Sequence, residues 1–203
     1  MLYRNVISIM LVVVSFCFTD FAKAQNSATD EVKKVVDKVV SIVSSQEMKK
    51  PENKEMRQKE LKDAIGTIFD YSEMAKRSLG RYWDERTPEE KNEFAQVFET
   101  LLENTYSKKI ESYNKEKIVY LKETVEGDSS EVKSKVVTSQ REEISLDYRL
   151  MNKAGKWMVY DVVIEEVNLV ANYHTQFDKI IRTEGYPALV KKLKSKNAET
   201  STH

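Results

Sequence analysis

The segment EEISLDYRLMNKAGKWMVYDVVIE at 142–165 has the clearest secondary-structure pattern in the chain. Apolar and polar residues alternate through its first half, as they do in a strand that has one buried face and one solvated face. The KAG sequence at 153–155 separates this run from a second apolar run and is typical of a hairpin turn. The pattern predicts two antiparallel strands, at 142–151 and 156–165.

Two further strands are predicted upstream, at 117–125 and 131–139, with Gly127-Asp128 at the turn between them. Four consecutive antiparallel strands form a meander. One face of such a sheet is free to be covered by helices. The segments before and after the strands therefore decide what covers the sheet.

Residues 30–112 have the three- and four-residue apolar period of helices. A first stripe comprises Val32, Val35, Val36, Val39, Val40 and Val43, and a second comprises Leu61, Ile65, Ile68 and Phe69. Thr87-Pro88-Glu89-Glu90 predicts the start of a long helix, because a threonine cap, a first-turn proline and a glutamate three residues on form a capping box. The apolar stripe of this helix is Phe94, Val97, Phe98, Leu101, Leu102, Thr105 and Tyr106. Two short helices are predicted after the strands, at 170–183 and 187–195.

Helices, then an antiparallel sheet, then helices again constitute an α+β fold. The chain has 203 residues, which is the length of one domain of ordinary size. We expect a single domain at 25–198 and a polar, disordered tail at 199–203.

The first 24 residues have the pattern of an export signal. Arg4 supplies a basic start, an apolar run extends from Val6 to Phe18, and Ala22-Lys23-Ala24 forms a small-x-small cleavage site. The run is too short to cross a bilayer of roughly 30 Å as a helix. We therefore expect cleavage after Ala24 and release into the periplasm. An uncleaved anchor is the alternative, and a lipoprotein is disfavoured because Phe16 precedes Cys17.

Cleavage would leave a mature chain with 31 basic and 32 acidic residues, since Arg4, Lys23 and Asp20 would be lost. A nucleic-acid partner is not expected, because binding a polyanion requires a surplus of cationic side chains. Cleavage would also remove Cys17, the only cysteine. The mature chain would then have no thiolate for catalysis or metal binding and no disulfide.

Few residues point to catalysis. The histidines are His174 and the terminal His203, and the sequence contains no GxxxxGK[ST], GxGxxG or GxSxG motif. Asp161, in an apolar strand, is the one candidate for a general acid or base with a raised pKa. The favoured alternative is that its carboxylate bonds a turn or backbone group. We expect no enzyme activity, no catalytic residue, no metal and no cofactor.

An ordered series of residues extends from about 30 to 195, nearly the whole mature chain. It comprises Phe69-Asp70-Tyr71, Met74-Ala75, Leu79-Gly80, Trp83, Thr87-Pro88, Phe94, Phe98, Leu101-Leu102, Tyr106, Tyr113, Trp157, Tyr160-Asp161-Val162, Glu165, Val167, Leu169-Val170, Tyr173, Phe177, Gly185, Leu189 and Leu193. This series resembles the MlaC (toluene-tolerance) family of periplasmic phospholipid-binding proteins. The sequence departs from it at Glu165-Glu166-Val167-Asn168, where the family usually has Glu-Gly-Val-Ser, and at His174, where an arginine is common.

The resemblance implies a helical part packed on a curved antiparallel (NTF2-like) sheet, with acyl chains held between the two. It also implies a monomeric shuttle that takes phospholipid between an outer-membrane lipoprotein–porin complex and an inner-membrane ABC transporter with a mammalian-cell-entry domain, and so maintains the asymmetry of the outer membrane. Three alternatives remain open: a hopanoid or other polycyclic cargo, a small-molecule enzyme that uses Asp161, and an interaction protein with a solid interior.

A lipid carrier must enclose acyl chains, because exposing them to water costs about 0.8 kcal/mol per methylene. We predict that the wall of the lipid pocket comes from the long helix, the third strand, and the fourth strand with its exit. The predicted lipid-binding residues are Phe98, Leu101, Tyr106, Ile144, Leu146, Tyr148, Leu150, Tyr160, Val162 and Val167. The headgroup is expected to stay wet and loosely recognised at the mouth.

Overall fold

The computed structural model describes residues 26–113 and 115–201. The export signal predicted at 1–24 lies outside these residues, as do 202 and 203. Within them, six α-helices and five strands follow one another along the chain. They are α1 (Ala28–Ser44), α2 (Lys54–Gly66), α3 (Tyr71–Leu79), α4 (Pro88–Glu111), β1 (Lys117–Glu126), β2 (Ser129–Val137), β3 (Glu143–Lys153), β4 (Lys156–Ile164), β5 (Val167–Asn168), α5 (Leu169–Glu184) and α6 (Tyr186–Ser201).

The strands form one antiparallel sheet in the order β1-β2-β3-β4-β5. The predicted meander and the α+β class are confirmed, and β5 adds a two-residue strand that the sequence pattern did not predict. Gly127 lies in the β1–β2 turn and Gly155 in the β3–β4 turn, both at positive φ, a backbone region that glycine enters without steric cost. The sheet is curved, and register shifts interrupt β1 beside Leu121 and β4 at Tyr160.

The bulge at Tyr160 decides which side chains of β4 face the helices. Leu150 pairs with Val159, whereas Arg149 pairs with Asp161, so that Tyr160 has no partner in β3. An extra residue reverses the alternation of a strand. Val159 faces inward before the bulge, and Val162 faces inward after it, opposite Tyr148.

The capping box predicted at the start of α4 is present. The Thr87 hydroxyl accepts a hydrogen bond from the Glu90 amide at 3.2 Å, and the Glu90 carboxylate accepts one from the Thr87 amide at 3.0 Å. Two backbone donors are satisfied in this way, which stabilises the first turn of a helix that runs for 24 residues. The length of α4 matters because it borders two different parts of the interior.

Helix α6 continues to Ser201, six residues past the predicted end, and includes residues 199–201 of the tail expected to be disordered. The end of α6 is attached to α4. The Asn197 side chain donates to the Val97 carbonyl at 3.0 Å, and Asn104 donates to the Asn197 carbonyl at 3.3 Å. These long-range hydrogen bonds join residues that no local sequence pattern relates.

Among the described residues, the buried apolar side chains form two clusters. The larger includes an aromatic core in which rings from α4, α5 and the start of α6 pack with centroids 5.1–6.1 Å apart. The aromatic core comprises Phe94, Phe98, Tyr173, Phe177 and Tyr186. The smaller cluster comprises Ile42, Val43, Leu61 and Ala64, and it joins α1 to α2. The two clusters are separate, and a cavity draws its wall from both.

Candidate ligand-binding cavity

A cavity of about 1050 Å³ lies between the helices and the sheet. This volume is at the upper limit of the roughly 300–1,000 Å³ that is usual for small-molecule pockets. Its wall is formed by the apolar stripe of α1, by α2 and the segment after it, by the C-terminal half of α4, and by the inner face of β1 to β4. The alternative of a solid interior is therefore wrong.

The valines of α1 form most of one wall of the cavity. The α1 residues that line it are Val32, Val35, Val36, Val39, Val40 and Val43, and Leu61, Ile65 and Ile68 continue the surface. All six valines share one face of α1 because they recur at three- and four-residue steps. Ser27 fixes the start of the helix by accepting a hydrogen bond from the Asp30 amide at 3.0 Å.

The opposite wall consists of cross-strand neighbours on the inner face of the sheet. One row runs across three strands, from Ile118 through Val136 to Ile144, and the next rows pair Leu146 with Ile164 and Tyr148 with Val162. Residues paired in register project to the same face. The rows therefore form a continuous apolar surface opposite the valines of α1.

Polar side chains surround the cavity where α2 approaches the C-terminal half of α4. This rim comprises Lys54, Gln58, Lys59 and Lys62 of α2 and Glu103, Asn104, Ser107, Lys108, Lys109 and Glu111 of α4. Two ion pairs join the helices here. Arg57 Nη2 lies 2.9 Å from Glu111 Oε2, and Lys62 Nζ lies 3.0 Å from Glu103 Oε1. Burial raises the pKa of Glu103, although Lys62 opposes the shift.

Half of the predicted wall residues line the cavity. Tyr106 projects from α4, Ile144, Leu146 and Tyr148 project from β3, and Val162 projects from β4. Burial raises the pKa of the Tyr148 hydroxyl, as expected for a phenol that leaves water. Phenols with raised pKa values remain neutral at pH 7, so these tyrosines add no charge to the wall.

Three predicted residues belong to the solid interior instead. Phe98 and Leu150 are 0% exposed, and Leu101 is 1% exposed. The Phe98 ring lies 5.1 Å from the Tyr173 ring and 5.6 Å from the Phe177 ring, so helix α5 fills the space beside it. Their periodicity correctly predicted an inward face, but at these positions the side chains are fully packed within the larger core cluster.

The last two predicted residues lie away from the cavity. The bulge leaves Tyr160 on the outer side, where the Arg77 guanidinium lies 4.0 Å from its ring centroid. Val167 is 55% exposed, in β5. It follows Glu165 and Glu166, whose positive φ values of 48° and 65° reverse the chain. The turn thus forms although Glu166 stands where the family usually has glycine.

The α1 valines were missed as wall residues, although their stripe was recognised as helical. A usable signal was present in their chemistry. Valine is a poor helix former because its branched side chain loses rotamer freedom against the preceding turn. Six valines on one helix face therefore indicate a face that provides apolar surface, since they contribute little to helix stability.

Asp161 acts as a structural acceptor and does not line the cavity. Its carboxylate accepts hydrogen bonds from the Val162 amide at 2.9 Å, from the Val170 amide at 3.1 Å and from the Asn168 side chain. Burial raises the pKa of Asp161, and these hydrogen bonds oppose the shift. Val170 lies in the first turn of α5, so Asp161 fixes the start of that helix. This matches the favoured sequence interpretation, a carboxylate bonded to backbone groups.

Within residues 26–113 and 115–201, no group of three or more histidine, cysteine, aspartate or glutamate side chains is placed to hold a metal ion. Among the helices in the same ranges, none combines the length and apolarity needed to cross a membrane. The arrangement offers an apolar space with a charged rim. Such a space is suited to holding a long apolar ligand with a polar end.

Fold and cavity together define an α+β protein that encloses a large apolar space between a helical layer and a curved sheet. The family model described as "MlaC protein" matches residues 33–195, and the chain belongs to the MlaC family. It is 22% identical over 187 residues to the intermembrane phospholipid transport system binding protein MlaC of Haemophilus influenzae, and the match covers 90% of this chain and 87% of that protein.

A solved structure gives the same fold. The phospholipid-binding protein from Ralstonia solanacearum, determined in complex with a phospholipid, matches with a TM-score of 0.78 and 26% identity. The match covers 87% of this chain and 99% of that chain. The family expected from the sequence and its α+β fold are both confirmed.

Proposed function

We propose that this protein binds a phospholipid in the cavity and carries it through the periplasm, between the outer membrane and the inner membrane. The observation that carries the proposal is the apolar cavity of about 1050 Å³, which the side chains of the protein leave unfilled. Phospholipid binding by the relatives from Haemophilus influenzae and Ralstonia solanacearum supports it.

The cavity meets the physical demand of carrying a lipid through water. Two acyl chains with roughly 30 methylenes cost about 20–25 kcal/mol to expose, so uncarried lipid does not cross an aqueous space at a useful rate. Inside the cavity, the valines of α1 and the inner face of the sheet replace the neighbouring acyl chains of the bilayer. Since one apolar environment replaces another, loading and unloading require only a modest difference in affinity.

The lipid would be exchanged with a lipoprotein–porin complex at the outer membrane and with an ABC transporter carrying a mammalian-cell-entry domain at the inner membrane. The transporter would supply the energy, which is consistent with a sequence that contains no P-loop motif. The carrier itself would make and break no covalent bond. The name of the Haemophilus relative, which describes a binding protein of an intermembrane transport system, supports this division of roles.

The test replaces a wall residue with a charged one. In Leu146→Asp or Val162→Asp the carboxylate would face the acyl chains, so protein purified from the periplasm should lose its co-purified phospholipid while still being exported. The matched control is Val119→Asp, on the outer face of β1 opposite Lys135, which should keep its lipid. Lipid extraction and mass spectrometry give the readout. Undiminished lipid in both wall variants would contradict the proposal, and a polycyclic lipid in the wild-type extract would change the cargo.

A further inference from the structure

The side chains that line the cavity include more lysines than carboxylates. The rim carboxylates Glu103 and Glu111 are paired with Lys62 and Arg57, and Lys59 is paired with Asp63 at 2.6 Å. Glu116, which also lines the cavity, is not free either. Lys54, Lys108 and Lys109 are exposed and have no ion pair in the part of the chain that the structure describes. Three cationic side chains are therefore available at the opening.

These lysines belong to neighbouring turns of two helices. Lys54 begins α2, three residues before Arg57, and Lys108 and Lys109 precede Glu111 in the last turn of α4. The ion pair of 2.9 Å between Arg57 and Glu111 brings these two turns together. The three lysines therefore border the same part of the cavity rim.

The positive charge is local. The whole chain carries 33 basic and 33 acidic residues, so no general surplus of cations explains it. An anion bound at this rim should also carry an apolar group that the cavity can accommodate. The phosphate of a lipid headgroup satisfies both conditions, since its acyl chains would occupy the space behind the rim.

We propose that Lys54, Lys108 and Lys109 bind the headgroup phosphate and make the cavity selective for anionic over zwitterionic phospholipids. The inference rests on the proposed function, and it adds recognition to a headgroup that the sequence suggested would be bound loosely. A zwitterionic headgroup brings its own cation, which competes with the lysines for the phosphate. A headgroup of net charge −1 has no such cation and gains the full attraction.

The test measures which lipid the protein holds at equilibrium. Delipidated full-length mature protein is incubated with vesicles of equal phosphatidylglycerol and phosphatidylcholine with identical acyl chains, then separated, extracted and analysed by mass spectrometry. The wild-type protein should hold phosphatidylglycerol in about fivefold excess at low salt, since each exposed charge contact contributes little. The excess should shrink at high salt. Because the mixture is at equilibrium, attraction of the protein to the vesicle surface changes the rate of exchange and leaves the ratio unaltered.

The triple variant K54Q/K108Q/K109Q should hold the two lipids in a ratio near one. The control K122Q/K156Q/K179Q makes the same change of charge at exposed lysines away from the cavity and should keep the excess. A wild-type ratio near one, or an excess that survives in the rim variant, would overturn the inference alone. Wild-type protein that takes up no phospholipid would overturn the proposed function as well. Calorimetry with inorganic phosphate tests the alternative that the lysines bind free phosphate. Phosphate binding without headgroup selectivity would also count against the inference.

Discussion

The two ends of helix α4 border different interiors. Its N-terminal half contributes Phe94 and Phe98 to the aromatic core, where rings from α5 and α6 fill the space to 0% exposure. Its C-terminal half, including Tyr106 and Ile110, borders the cavity. The solid end is filled by aromatic rings held at short distances. The hollow end is bordered by the valines of α1 and by the inner face of the sheet.

This difference indicates a division of labour. The solid end supplies the free energy that keeps the domain folded, because close-packed aromatic and aliphatic groups gain both burial and dispersion. The hollow end gives up part of that free energy, since an empty apolar space lacks contacts that packing would provide. A bound lipid would restore those contacts. Stability and binding are therefore expected to respond differently to mutations at the two ends.

The largest expected effect comes from truncating the same type of side chain at two positions of one strand. Leu146 and Leu150 lie on the inner face of β3, but Leu146 lines the cavity and Leu150 is fully buried in the core. Leu150→Ala should lower the free energy of unfolding by about 3–5 kcal/mol, because it creates a new void in packed surroundings. Leu146→Ala should cost about 1 kcal/mol, because it only enlarges a space that is already empty. Urea denaturation of delipidated protein measures both.

The comparison also needs lipid-loaded protein. Lipid should stabilise the wild type strongly and Leu146→Ala somewhat less, since the variant loses contacts with the acyl chains. Equal costs for the two substitutions in delipidated protein would show that the space beside Leu146 collapses when no ligand is present.

A smaller effect is expected from adding bulk. Val36→Phe places a ring in the cavity, where there is room, so it should leave the stability of delipidated protein unchanged or slightly higher and should reduce bound lipid. Val132→Phe places the same ring at a fully buried position of the core and should cost about 1–3 kcal/mol through overpacking. Thermal unfolding and lipid quantification by mass spectrometry distinguish the two. Full lipid binding by Val36→Phe would contradict the assignment of the α1 valines to the wall.

Much of the fold could be predicted from local patterns, and the position of the cavity could not. Alternation predicted β3, and a threonine–proline–glutamate sequence predicted the start of α4, because each depends on residues close together in the chain. Leu146 and Leu150 have the same residue type and face, and only the distance to the covering helix separates a wall residue from a core residue. That distance is set by tertiary packing.

Tyr160 illustrates a second limit. A bulge of one residue reverses the alternation of β4, so that Val159 and Val162 both face inward and Tyr160 does not. A strict period of two assigns the residues on one side of such a bulge to the wrong face of the sheet. The bulge depends on pairing with β3 and has no clear signature in the β4 sequence itself.

The smallest expected effect concerns two carboxylates that fix the starts of helices. Glu123 fixes α1, which lines the cavity, and Asp161 fixes α5, which contributes to the aromatic core. Glu123 accepts hydrogen bonds from the Ala28 and Thr29 amides at 3.1 and 3.0 Å, and so attaches α1 to β1. Desolvation favours a higher pKa for Glu123, but the hydrogen bonds outweigh it and lower the pKa below 4.5. Burial dominates at Asp161, which holds α5, and raises its pKa above 3.8. The two anchors should therefore respond to acid with opposite signs.

The contribution of Glu123 is complete above about pH 4.5 and is lost as the pH falls through its lowered folded pKa. The contribution linked to the raised pKa of Asp161 is complete below about pH 3.8 and is lost as the pH rises through its folded pKa. Hydrogen-exchange protection factors measured between pH 3.5 and 6 should thus fall in acid for the Ala28 and Thr29 amides and not for the Val170 amide. Glu123→Gln should remove the pH dependence at α1 only. If both helix starts lost protection together in acid, the starts of α1 and α5 would unfold as one unit, which would contradict the opposite responses expected of the two carboxylates.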